Sequence, residues 1–285
     1  MQFGVTLPFD EEPSITVQMA CDAEAAGWDG VFVWDGINGN DAWVTLAAIA
    51  ARTERIKLAT MLTPISRRRP WKLAQEAATL DRLSAGRVIL PVGLGAPDTG
   101  FDLFGEETDR KRRAEMLDEG IDVLTGLWSG KPFSYDGQHY PIGETTWFPV
   151  PVQRPRVPIW VVGAWPRMKS MRRVLRCDGI IPHKMGGTTA PVSPEEAWAM
   201  MSPDDIRAIR DWLSENGAAD SFDVVWEGDT PGDDPARAAE IARTWSDAGV
   251  TWWLEAVWND PRTRAGVEGM RERINQGPPR WCDIE

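Results

Sequence analysis

Apolar and polar residues follow two alternating rhythms along this chain. Short apolar runs rich in β-branched side chains predict strands, and longer stretches with apolar residues three or four positions apart predict helices. Eight strands are predicted in this way, at Gln2–Pro8, Gly30–Trp34, Ile56–Leu62, Val88–Val92, Pro158–Gly163, Gly179–Pro182, Phe222–Glu227 and Thr251–Val257.

Helices are predicted between most of these strands. Residues 110–128 show the clearest amphipathic pattern, with Leu117, Ile121 and Leu124 on one side. After this helix the rhythm breaks, and the tyrosines and prolines of Pro132–Pro155 predict a hairpin. The other predicted helices are Ile15–Ala26, Ala42–Thr53, Pro70–Leu83, Met168–Arg176, residues 194–216, Asp234–Ala248 and residues 262–275.

Eight strands separated by helices are typical of a (β/α)8 barrel, the TIM barrel of the α/β class, here with a hairpin insertion after the fourth helix. The main alternative is an open doubly wound sheet. Its dinucleotide-binding form is disfavoured because no G-x-G-x-x-G opens a helix after the first strand. The sequence has no linker and no internal repeat, so it predicts a single domain over residues 1–285.

Composition excludes several partners. The net charge of −12 argues against nucleic acid, whose phosphates require a basic surface. No apolar run approaches the ~20 residues of a membrane span, and the first residues lack a signal-peptide pattern. Cys21, Cys177 and Cys282 show no metal spacing and are too few for a disulfide framework. We therefore expect a cytoplasmic protein with no metal, membrane or nucleic-acid partner.

The active sites of such barrels lie at the carboxyl ends of the strands. In this chain those ends are rich in Trp, Met and Gly and poor in paired carboxylates and metal ligands, which favours a planar cofactor carrying a phosphate over a hydrolase or metal site. The residues at these ends include Phe9, Asp35, Thr60, Met61, Thr63, Gly93, Gly95, Asp98, Gly163, Ala164, Trp165, His183, Lys184, Glu227, Asp229, Glu255 and Trp258.

The stretch DRLSAGRVILPVGLG, residues 81–95, is the most informative segment. Gly86 stands where a helix ends in a left-handed residue, Val88–Val92 is a short apolar strand, and Gly93 and Gly95 permit a ligand to approach the backbone closely. This order places a glycine loop directly after the fourth predicted strand.

Together with its preceding leucine, this segment resembles the corresponding part of the luciferase-like flavin-dependent oxidoreductases, which include bacterial luciferase and the deazaflavin (coenzyme F420) dehydrogenases and reductases. Further similar segments follow in the family's order over about the first two thirds of the chain. They read FGVTLPF, AEAAGWDGVFVWD, IKLATMLTPISRRRP, RRAEMLDEGIDVLTGLWSG, FSYDGQHYPI and PVQRPRVPIWVVGAWP, with EGDTPG near residues 227–232.

The resemblance implies a (β/α)8 barrel that uses bound coenzyme F420 or reduced FMN to reduce, oxidise or monooxygenate a small organic substrate. It places Thr60–Met61 at the family's non-prolyl cis peptide, with Thr63 beside it. It also places Gly163, Ala164 and Trp165 at the loop whose amides receive the cofactor phosphate, and Gly93 and Gly95 near the cofactor tail. The segment ATMLTPI is most similar to the deazaflavin members.

Two departures narrow this implication. Asp35 is followed by Gly36 where the family often has histidine, and Ala96-Pro97 stands where the sugar-phosphate dehydrogenases have a glutamate after the glycines. Both departures disfavour sugar-phosphate dehydrogenase chemistry without affecting cofactor binding. The alternatives left open are a non-catalytic flavin-binding barrel and a non-redox barrel such as a lyase or hydrolase.

His183 and Asp35 are the catalytic candidates. His183 ends a strand and titrates near neutrality, which suits proton transfer, although a polar residue at the barrel rim would look the same. Asp35 either orients a ligand or is a hydrogen-bonded turn carboxylate. The arginines at 67–69, 112 and 113 either attract an anion or form a solvated basic surface, and the sequence favours the second interpretation.

The expected partners are a small-molecule substrate and a second copy of the chain, because the family often forms dimers. The flavin version of the chemistry also requires a separate reductase to supply the reduced cofactor.

Overall fold

The computed structural model describes residues 1–8, 11–184, 201–256 and 267–280. Within these ranges, parallel strands alternate with helices along the chain, which confirms the predicted α/β class and the (β/α)8 barrel fold. The strands are β1 Gln2–Leu7, β2 Gly30–Val33, β3 Lys57–Thr60, β4 Thr63–Pro64, β5 Val88–Gly93, β6 Pro132–Tyr135, β7 Ile142–Thr146, β8 Ile159–Trp165, β9 Gly179–Lys184, β10 Asp223–Gly228 and β11 Trp252–Glu255.

The helices begin at capped positions where the sequence supplies a short polar side chain. The carboxylate of Asp41 accepts a hydrogen bond from the amide of Val44, and Asp109 does the same for Arg112. The helices are α1 Pro13–Ala26, α2 Ala42–Ala50, α3 Pro70–Leu83, α4 Arg110–Trp128, α5 Met168–Val174, α6 Pro203–Glu215, α7 Pro235–Ala248 and α8 Val267–Asn275.

The third predicted strand is divided in the structure. Ile56–Leu62 was expected to be one strand, but β3 ends at Thr60 and the two-residue β4 follows at Thr63. The chain between them contains a non-prolyl cis peptide bond at Met61–Leu62. The interruption brings the hydroxyls of Thr60 and Thr63 together at 2.9 Å, and both side chains are buried.

The chain contains two compact units, which are described separately. The first unit consists of residues 7–21 and 31–159. In it β3 and β4 each pair in parallel with β5, and α3 packs on both α2 and α4. All six residues of β5 are buried, as its continuous apolar sequence predicts.

The hairpin belongs to this first unit. Strands β6 and β7 pair in antiparallel register within the predicted segment. The carboxylate of Glu119 on α4 accepts hydrogen bonds from the backbone amides of Gln138, His139 and Tyr140, which fixes the hairpin to that helix.

The second unit consists of residues 1–6, 22–30 and the described residues from 160 onward. Strands β8, β9, β10, β11 and β1 pair in that order, all in parallel. Its core is built on tryptophans, because Trp160, Trp252 and Trp253 are almost fully buried and the first two meet edge to face at 5.4 Å. The single-domain assignment stays a prediction.

Candidate active site

In the first unit, Asp35 is the second residue after β2, and two arginines hold its side chain. Its side chain is 3% exposed. Arg68 donates to both carboxylate oxygens, with Nη2–Oδ1 at 2.9 Å and Nε–Oδ2 at 3.2 Å, and Arg67 Nη2 lies 3.7 Å from Oδ1. The carboxylate predicted as a catalytic group is therefore occupied by a two-point ion pair.

Asp35 and burial act in opposite directions on the pKa values of the two arginines. Burial acts to lower the pKa of Arg68, but the charge of Asp35 and its hydrogen bonds raise that pKa above its ordinary value. For Arg67 burial dominates, and its pKa is lowered despite the attraction of Asp35. Arg67 also donates to the backbone carbonyls of Asp35 and Gly36 at 2.8 and 2.7 Å, so it fixes the loop that carries the carboxylate.

Thr60 is the last residue of β3, Met61 follows it, and Thr63 is the first residue of β4. All three therefore lie at the carboxyl end of the predicted third strand. The placement of the cis peptide at Thr60–Met61 was wrong by one residue, because the bond lies at Met61–Leu62. The resemblance to the family identified the segment but not the exact peptide bond that is cis. Ser66 follows in the next turn, and its hydroxyl is buried without a hydrogen-bond partner among the described residues.

Gly93 ends β5, and Gly95 lies in the loop that follows it. Gly95 has a φ of +72°, and a Cβ at this position would lie 2.7 Å from Phe101 Cζ and 2.9 Å from Pro64 Cβ. The position therefore requires glycine for both conformation and space. Arg113 of α4 donates from Nη1 to the carbonyls of Leu94 and Gly95 at 2.8 and 3.0 Å.

In the second unit, Gly163, Ala164 and Trp165 are the last residues of β8 and pair with Pro182, His183 and Lys184 of β9. A Cβ on Gly163 would lie 2.5 Å from Ile180 Cδ1, so the glycine serves packing. The amide of Ala164 donates to Ser170 Oγ at 2.9 Å. That amide, predicted to receive a cofactor phosphate, is thus bound to a side chain in this structure.

His183 is half-buried and lies in β9, one residue before Lys184. Lys184 donates to Asp205 Oδ2 at 2.8 Å, and Asp205 also caps α6 through Ser202. Burial acts to raise the pKa of Asp205, but the hydrogen bonds from Lys184 and Ser202 lower it overall. The catalytic role of His183 stays a prediction.

Glu255, at the end of β11, is fully buried within the second unit. It accepts hydrogen bonds from the amide and hydroxyl of Thr230, from Trp253 Nε1 and from Arg273 Nε. Burial raises the pKa of its carboxyl group. These contacts use the carboxylate fully, so they give Glu255 a structural role.

Some predicted positions cannot be compared with the structure. Phe9, Trp258, Cys282 and the stretches 194–200 and 262–266 of two predicted helices lie outside the described residues, as does the side chain of Asp98. In the described ranges, no group of three or more His, Cys, Asp or Glu side chains could hold a metal ion. No helix there is long and apolar enough to cross a membrane.

The parallel strands and the glycine loop after β5 are those of an α/β barrel of the luciferase-like type, a class of oxidoreductases. The family described as luciferase-like monooxygenase matches residues 1–190, and the protein belongs to that family.

Two curated relatives and one solved structure agree with this membership. The chain is 29% identical to an F420-dependent glucose-6-phosphate dehydrogenase of Nakamurella multipartita, over 94% of this chain and 78% of the relative. It is 31% identical to the enzyme of the same name from Microbacterium testaceum, over 84% and 70% of the two chains. The coenzyme F420-dependent tetrahydromethanopterin reductase from Methanopyrus kandleri shares the fold, with a TM-score of 0.74, 18% identity and 96% of each chain covered. Of the two predicted cofactors, coenzyme F420 and FMN, these names agree with F420.

Proposed function

We propose that this protein is a coenzyme F420-dependent oxidoreductase that acts on a small organic substrate. The names of the relatives support F420 over FMN. The observation in the structure that carries the proposal is the polar turn after β3, where the paired hydroxyls of Thr60 and Thr63 precede the buried, unpartnered hydroxyl of Ser66. A buried hydroxyl without a partner is costly, and the hydrogen-bonding edge of a deazaflavin or flavin ring would satisfy it.

The residues of this turn have distinct proposed roles. Thr60 and Thr63 hold each other's hydroxyls in place, and Met61 lies in the interruption between the two strands. Gly93 and Gly95 add no side chains of their own to the neighbouring loop, whose backbone we propose contacts a ligand. Bound F420 would supply hydride-transfer chemistry, and the protein would supply orientation and exclusion of water.

The second unit contributes its own proposed residues. We propose that the backbone of Gly163, Ala164 and Trp165 contacts the cofactor, although the amide of Ala164 must leave Ser170 in order to bind a phosphate. His183 is proposed to hold or move the proton that accompanies hydride transfer, since its pKa range suits that step near neutral pH.

Asp35 is proposed as a positioning residue and no longer as a proton donor or acceptor. Its carboxylate is bound by Arg68 at two points and is almost fully buried. A carboxylate held at two points in this way fixes the arginine and the loop that carries it.

Binding of F420 to variants tests the proposed role of the polar turn after β3. We expect Thr63→Val to weaken F420 binding about tenfold, or about 1.4 kcal/mol, because Thr60 loses the hydroxyl that holds its own hydroxyl in place for the cofactor. Thr45→Val is the matched control, since Thr45 is also buried but its hydroxyl donates to a helix carbonyl at Asp41. Equal binding by the two variants would contradict a cofactor role for Thr63.

The role of His183 needs a separate readout. We expect His183→Ala to lower the rate of cofactor oxidation at pH 7 without changing F420 affinity, and to change the pH dependence of that rate. Unchanged turnover in a folded His183→Ala variant would remove this residue from the mechanism.

The proposed assembly is a homodimer, which sedimentation can test directly. A partner reductase is required only by the reduced-FMN alternative. Formation of product from F420 and substrate without any second protein would therefore argue against that alternative.

A further inference from the structure

Arg113 is a buried cation that forms no ion pair with a carboxylate of the described residues. The residue is 4% exposed, and no carboxylate oxygen lies within salt-bridge distance of it among the described residues. Its Nε is buried and has no hydrogen-bond partner there, and burial lowers the pKa of its guanidinium. A buried charge is costly unless an opposite charge compensates it, so this position favours a nearby anion.

The two carbonyls that Arg113 binds determine where the neighbouring amides point. The carbonyl of Leu94 belongs to the same trans peptide as the amide of Gly95, and the carbonyl of Gly95 shares a peptide with the amide of Ala96. Carbonyl and amide point to opposite sides of a trans peptide. Since one guanidinium nitrogen binds both carbonyls, both amide hydrogens point away from Arg113.

Successive amides that point to one side form an anion-binding concavity, especially where one residue has a left-handed backbone. Gly95 provides that backbone, with a φ of +72°. Neither amide has an acceptor among the described residues. Phe101 and Pro64 pack against Gly95 and keep the loop in this form. The positive charge of Arg113 lies at the carbonyl end of both peptide dipoles, which strengthens their attraction for an anion.

We propose that the amides of Gly95 and Ala96, polarised by Arg113, form a binding site for an oxyanion such as a phosphate or carboxylate group. Arg113 acts in it as a positioning residue, because its side chain contacts the loop carbonyls and not the anion. The oxyanion belongs either to the substrate or to the cofactor. The site follows from the loop geometry alone and does not depend on the F420 assignment.

The test measures binding of inorganic phosphate to the full chain by ³¹P NMR line broadening at constant ionic strength. Ala96→Glu places a negative charge beside the amides at an exposed position, so the fold is kept, and Ala96→Gln is its neutral control. Arg113→Met removes the organising cation. Arg112→Met makes the same change of net charge at a neighbouring side chain that is 67% exposed.

We expect phosphate to bind the unaltered protein, and to bind at least about tenfold more weakly to Ala96→Glu and Arg113→Met. Ala96→Gln and Arg112→Met should stay within about twofold of the unaltered protein. Absence of phosphate binding, or equal binding by Ala96→Glu and Ala96→Gln, would overturn the proposal. The second criterion holds even where Arg113→Met does not fold.

A competition experiment then identifies the source of the oxyanion. Phosphate that weakens F420 binding assigns the site to an anionic group of the cofactor. Phosphate that leaves F420 binding unchanged but inhibits turnover assigns it to an anionic substrate. Either result supports the site, whereas phosphate that affects neither binding nor turnover contradicts it.

Discussion

In the loops after β2 and β5, an arginine binds two successive backbone carbonyls, but the two loops differ in whether a carboxylate pairs with that arginine. Arg67 binds the carbonyls of Asp35 and Gly36, and Arg113 binds the carbonyls of Leu94 and Gly95. The first loop brings its own carboxylate, which Arg68 clamps. The second loop brings none within salt-bridge distance in the described part of the chain.

This difference shows that loop geometry and charge balance are separate properties. Both arginines fix a backbone, and Phe101 lies close to both, with its ring centre 5.6 Å from Arg67 and 5.9 Å from Arg113. Of these two loops, only the one after β5 is bound by a buried arginine with no carboxylate within salt-bridge distance in the described ranges. We therefore assign a structural role to the first loop and a ligand-binding role to the second.

The largest expected effect comes from breaking the first loop's charge balance. Asp35→Asn leaves Arg67 without its salt-bridge partner and Arg68 with Glu76 alone, so we expect a loss of about 3 kcal/mol in the free energy of unfolding, measured by urea denaturation. Glu240→Gln removes the carboxylate of an exposed pair with Arg237 and should cost less than about 1 kcal/mol. Similar losses in the two variants would show that the buried ion pairs of Asp35 do not stabilise the fold more than an exposed pair does.

A smaller effect is expected from crowding the second loop. Gly95 and Gly105 have nearly equal φ values of +72° and +70°, but a Cβ at Gly105 meets no atom within 4 Å. Gly105→Ala should cost about 1 kcal/mol through backbone strain alone. Gly95→Ala should cost about 2 kcal/mol, because Phe101 and Pro64 must also move. Equal costs in thermal unfolding would mean that the loop after β5 is not held by these contacts.

The smallest effect concerns phosphate as a stabilising ligand. At a phosphate concentration ten times its dissociation constant, the unaltered protein should gain about 1.4 kcal/mol in the free energy of unfolding. Arg67→Met should keep this gain, because its loop is not the anion site, and Arg113→Met should lose it. A loss of the gain in both variants would remove the distinction between the two loops.

Much of the fold was predictable from the sequence because strand and helix periods are local properties. The helices Pro70–Leu83 and Arg110–Trp128 have the predicted bounds, and β8 and β9 differ from prediction mainly by extending further toward their carboxyl ends. The division of β3 from β4 was missed because the apolar run Ile56–Leu62 carries no breaker, and tertiary pairing decides where it ends.

The candidate site was less predictable than the fold. The sequence favoured a solvated surface for the arginines, which holds for Arg112, whereas Arg67, Arg68 and Arg113 are largely buried. Burial of a charged side chain depends on which carbonyls and carboxylates the fold brings to it, and spacing along the chain does not encode that. The glycines of VGLG were the only local signal that another group lies close to the loop backbone. In the structure, the side chain of Phe101 is one such group.

A titration with oxidised coenzyme F420 directly tests whether F420 is the cofactor of this protein. Deazaflavin fluorescence should be quenched on titration with the protein, and saturation should occur at a far lower concentration of F420 than of FMN in a parallel titration. We predict that the protein binds F420, that Thr63→Val weakens this binding and that Thr45→Val does not. Saturable binding of FMN with no response to F420, or no response to either, would contradict it.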